Sequence, residues 1–136
     1  METPDLSELA VSPGYRYAER VGEQLFVAGQ VPLDGHGQLV AAHDPAAQAN
    51  QCLDNLAVVV EAHLFLLEDV RHLRIHVVGP RQALVDTWQA VKGWFGGETP
   101  PATLLGTPQL GHHGQLVEIE AQVVRASRDA RSAGLD

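Results

Sequence analysis

Two helical stripes, each set between strand-like runs, place the tightest limits on what this chain can become. The first opens at Asp44-Pro45, a capping aspartate followed by a proline at the first helical position. Its apolar residues Ala49, Cys52, Leu53, Leu56, Val59, Val60 and Leu64 recur at helical spacing along one face. The second opens at Pro80, carries Leu84, Thr87, Trp88, Val91, Trp94 and Phe95 on one side, and stops at Gly96-Gly97. Before the first helix, Tyr15 to Ala28 reads as two short strands about a turn at Gly22-Glu23. Gly29 to Pro32 ends the second of them, and Leu39-Val40 is a short strand after a loop. Between the helices, residues 71–78 alternate: Leu73, Ile75 and Val77 face one way, His72, Arg74 and His76 the other. Residues 103–107 and 115–124 form two further strands, joined by a Gly/His turn.

The order is therefore ββ-α-β-α-ββ. Each helix supplies enough chain for a crossover, so the expected class is α+β, with a mixed sheet of five to six strands. Two helices cover only one face of such a sheet. The other face carries Leu105 and Leu116 beside polar groups, and a half-apolar uncovered face suggests an interface between copies. A length of 136 residues suits one domain, 1–136. Residues 1–13 are expected to be a loose arm, and 126–136 a frayed tail.

Charge narrows the function. The net charge is −8, from 9 basic and 17 acidic residues, and no basic patch is evident. Nucleic acid is normally met by Lys/Arg clusters, so DNA and RNA are poor partners. No apolar run is long enough to span a membrane, and Met1 to Glu8 lacks the order of a signal peptide. A cytoplasmic location is expected. The one cysteine, Cys52, excludes a disulfide within the chain and a Cys-based zinc site. It lies on the first helix's apolar stripe, where a buried core residue is the expected reading rather than a nucleophile.

Seven histidines raise the question of metal. His72 and His76 are about 13 Å apart along a strand, too far for one ion. His112-His113 lies in a turn, where solvated side chains are expected. No metal and no cofactor is expected.

Two polar rows carry more chemistry. Leu116, Glu118, Glu120 and Gln122 share one face of the last strand, with the glutamates about 7 Å apart. They form a solvent-facing row, or, if covered by another copy, a desolvated pair able to carry protons. His72, Arg74 and His76 form the second row. Arg74 is read either as half of an interface salt bridge or as a clamp for a carboxylate ligand.

An ordered set of segments resembles the RidA (YjgF/YER057c) family from about Tyr15 to Arg125. They are Leu25 to Pro32, Gln51 to Leu56, Asp69-Val70, Pro101-Ala102 and Leu116 to Ala121. The resemblance implies a chorismate-mutase-like fold and homotrimers with three inter-subunit clefts for a small molecule. It also implies hydrolysis of reactive enamines and imines to a keto acid and ammonia. In the family an arginine grips the substrate carboxylate and a glutamate on the last strand positions water. Matched residue by residue, Tyr15 takes the tyrosine position, Gly29 the glycine and Glu118 the glutamate. Thr103 stands at the arginine position, Leu105 at the cysteine, Ala28 at the serine, and Trp88 near the asparagine. Threonine cannot make a forked ion pair with a carboxylate, so the chain resembles arginine-lacking branches of the family. Two readings stay open: an imine hydrolase using Glu118 through water, with Arg74 replacing the clamp, or a non-catalytic small-molecule binder.

Overall fold

The computed structural model describes residues 4–11 and 14–126. Strands β1 (Ala18–Val21) and β2 (Gln24–Gln30) precede helix α1 (Pro45–Ala62). A 3-10 turn, Leu67–Asp69, leads into β3 (Val70–Val77). Helix α2 (Arg81–Phe95), β4 (Ala102–Gly106) and β5 (Val117–Val124) complete the elements of the described residues. The strands form one mixed sheet in the order β1-β2-β5-β3-β4. Only β3 and β4 run parallel; α2 makes the crossover between them.

Both helices begin and end on local chemistry. The Asp44 carboxylate accepts the Ala47 N–H at 3.0 Å, and Pro45 opens α1. Gly96 ends α2 in the left-handed conformation, φ 64°. Leu64, counted on the first stripe from its spacing, lies beyond α1 with φ 67° and is exposed. The helix stops at Ala62, and the backbone then turns that side chain out to solvent.

The core lies between the helices and one sheet face. Cys52, Leu53, Leu56, Val59 and Val60 of α1 and Val91 of α2 meet Leu73, Ile75 and Val77 of β3 and Val117, Ile119 and Val123 of β5; all are fully buried. The alternation expected in β3 holds. Leu116 differs from expectation: it precedes β5, its N–H is taken by Gln48 of α1 at 2.7 Å, and it packs against the core. Exposed apolar residues on the uncovered face include Val21, Phe26 and Leu105. Leu39 makes only an isolated bridge with Leu33, not a strand.

Part of the expected loose arm is packed. Leu9 is buried, Leu6 packs beside it, and the Tyr17 hydroxyl donates to the Ala10 carbonyl. The expected frayed tail, 126–136, lies outside the described residues beyond Ala126.

Candidate functional site

The uncovered face takes its chemistry from cross-strand register. On β3 and β5, His76 lies opposite Glu118, Arg74 opposite Glu120, and His72 opposite Gln122. On β4, Thr103 neighbours Arg74 and Leu105 neighbours His76. Residues more than forty positions apart on β3 and β5 therefore meet side by side, as cross-strand pairing requires. His76 Nε2 lies 2.9 Å from one Glu120 oxygen, and Arg74 Nη1 lies 3.5 Å from the other. His72 Nε2 lies 3.3 Å from the Thr103 hydroxyl.

Glu118 is held differently. The ladder between β2 and β5 slips between Val27 and Gln30. The irregularity is braced from several sides. The Gln30 side chain donates to the Ala28 carbonyl at 2.9 Å. Asn55 of α1 donates to the Val31 and Leu33 carbonyls, each at 3.0 Å. Gly29 is thereby brought against the Glu118 side chain. A Cβ at Gly29 would lie 2.7 Å from Glu118 Cδ and would overlap its carboxylate, so only glycine fits without movement. On the other side, buried Gln115 donates from Nε2 to Glu118 Oε1 at 3.3 Å and to the Val117 carbonyl at 3.0 Å. Its Oε1 accepts the His112 N–H at 3.1 Å, which locks the amide. The Glu118 carboxylate thus has a backbone wall on one side and an oriented neutral donor on the other. Such a carboxylate can orient a water molecule and take its proton.

Two hollows adjoin β2, and Glu118 lines neither of them. One, of about 280 Å³, is lined by Phe26, Val27, His72, Arg74, Glu120 and Gln122. The other, of about 560 Å³, is lined by Tyr15, Arg16, Ala18, Phe26, Val27 and Ala28, among others. Phe26 and Val27 line both. Of the residues expected at the site, Tyr15, Ala28, Gly29, Arg74, Thr103, Leu105 and Glu118 are thus distributed around this face. Trp88 is not with them. It lies on α2 beside Leu84, Val85 and Leu104, in the helix layer of the same chain. Two contributors went unseen in the sequence, Gln115 and the His76–Glu120 contact. Cross-strand register would reveal the second; nothing in the local pattern marks the first.

Cys52 sits beneath the same strand, its thiol 3.6 Å from the Val117 carbonyl. Burial pushes this thiol well above its ordinary range, the Glu118 charge pushes it further, and the Ile119 backbone N–H opposes both. It is a core thiol and not a nucleophile. Among the described residues, no group of three or more His, Cys, Asp or Glu side chains could hold a metal ion.

Fold and site together define a small α+β protein of chorismate-mutase-like architecture, with a carboxylate set against glycine on an uncovered sheet face. The chain belongs to the Endoribonuclease L-PSP family, the YjgF/RidA group, whose model matches residues 6–125. It is 28% identical to a RutC family protein of Pyrococcus horikoshii over 79% of this chain and 83% of that protein. It is 39% identical to a RutC family protein of Sulfurisphaera tokodaii, over 41% of this chain and 45% of that relative, so that match spans less than half of the relative's length. The YjgF gene product of E. coli has the same fold, with a TM-score of 0.79, 24% identity, and 90% of this chain and 97% of that one covered. No helix among the described residues is long and apolar enough to cross a membrane.

Proposed function

We propose that the protein is a cytoplasmic homotrimer that hydrolyses the C=N bond of a small imine or enamine tautomer in clefts between subunits. The observation that carries this reading is the Glu118 carboxylate, fixed between Gly29 and Gln115 on a face with exposed Phe26 and Leu105. Glu118 takes a proton from water as the water oxygen bonds to the imine carbon. The nitrogen gains protons and leaves as ammonia, and the carbon keeps the oxygen as a carbonyl. Tyr15, Ala28, the Gly29 backbone, Arg74, Thr103 and Leu105 line the cleft. No metal or cofactor takes part. The family description names an endoribonuclease, but a net charge of −8 opposes RNA binding.

The test is ammonia release from a panel of freshly generated imines, with and without a carboxylate. Glu118→Gln should reduce the rate about 100-fold or more, the usual contribution of a positioned base. Equal rates in the variant and the parent would overturn the reading. A second reading, a binder without turnover, draws on the uncharged Thr103, Leu105 and Ala28 around the carboxylate. It predicts ligands that stabilise the protein in thermal melts and are recovered unchanged.

A further inference from the structure

Charge complementarity on the uncovered face deepens the proposed function, on which this inference rests, by naming the class of ligand. Three charged groups from β3, β4 and β5 face the site: Arg74, Glu118 and Glu120. β4 contributes only Thr103 and Leu105. On β2, Gln24 and Phe26 share the face; neither is charged. Arg71 lies at the end of β3, where its Nε donates to the Val124 carbonyl at 2.8 Å, and it lines a separate groove with Leu67 and Phe95. Glu19 on β1 is paired with Arg16.

Arg74 and Glu120 form an ion pair, and His76 takes the second Glu120 oxygen. Their charges cancel locally. Glu118 enters none of the ion pairs formed among the described residues. Its polar partner is the neutral Gln115 amide. A half-buried carboxylate without a counter-charge attracts a cation, and a second anion brought beside it is repelled. The chain's overall charge of −8 acts in the same direction at long range. On the same face, Leu105 neighbours His76 in the row of Glu118, and Phe26, 44% exposed, lies further along β5 opposite Gln122.

We infer that the ligand is a small organic nitrogen cation, a protonated amine or imine, that carries no carboxylate. Its N–H group supplies the counter-charge that Glu118 lacks. A protonated C=N carbon is also the more electrophilic one, so the same contact that selects the ligand prepares it for water.

Benzylammonium and phenylacetate, matched in ring and chain, serve as probes of the full-length protein, with binding followed by ligand-observed NMR at pH 7. Benzylammonium should bind about tenfold or more tightly than phenylacetate at low salt, and the preference should shrink as salt screens it. Glu118→Gln should abolish the preference. Thr103→Arg, at an exposed position on the edge strand β4, should reverse it by adding a second guanidinium to the row of Arg74 and Glu120. Equal or reversed preference in the parent protein overturns the inference. So does a preference unchanged in both variants, or no benzylammonium binding at all. The two readings fail separately. Amine preference without turnover of any imine defeats only the hydrolase. Hydrolysis of carboxylated imines as fast as their uncharged counterparts defeats only the inference.

Discussion

Cys52 shows how one residue links the core to the site. Its thiol is buried under β5 and feels both the loss of water and the Glu118 charge, so it stays protonated in the folded protein beyond the ordinary thiol range. The unfolded chain ionises first as pH rises. The stability that this group contributes is full below an unfolded thiol pKa of about 8.5 and declines as pH rises above it. Thermal melts should therefore fall through the alkaline range, and Cys52→Ala should flatten that fall; parallel slopes would remove the thiol as its source. The place of Cys52 was legible because a small apolar residue on a helical stripe has one economical location. Glu118 was legible as a strand-face carboxylate from the two-residue alternation of the last strand. Gln115 was not, because its role comes from the turn at His112 to Gly114 folding back on β5, and no local periodicity records that.

At the level of elements, the helix ends were the most legible part of the sequence. Asp44-Pro45 and Gly96-Gly97 act through their own backbone neighbours, with no distant partner needed. Strand ends shift by one or two residues from the pattern, because a strand stops where its partner stops pairing. Leu64 misled for a related reason: spacing alone does not show that the helix ended at Ala62. The junction of α1 with the sheet also depends on a polar group that hydropathy hides. Gln48, fully buried in α1, accepts the Leu116 N–H and donates to the Gly114 and Ala41 carbonyls. Gln48→Leu keeps the volume but strands these backbone groups. The expected loss is about 2–3 kcal/mol, or roughly 10 °C in Tm, read by circular dichroism melts. A change within about 1 °C would show that water replaces the amide.

For the whole molecule, the exposed Phe26 and Leu105 on a face without helices are the strongest argument for assembly. Light scattering across a size-exclusion peak should give three times the mass of one chain. Phe26→Asp, which places a charge in the apolar part of that face, should shift the peak towards the monomer; a monomeric parent protein would remove the inter-subunit cleft. The sheet order has a separate consequence for how the protein is made. β5 is the last of the described strands but the middle strand of the sheet, between β2 and β3. A growing polypeptide therefore holds a hairpin and a parallel strand pair with nothing to join them until residues 117–124 emerge. Glu118 arrives on that same strand. The sheet and its functional carboxylate are completed by one late insertion, and a chain stopped before β5 would expose core-facing Leu25, Leu73 and Ile75 to whatever handles unfinished proteins.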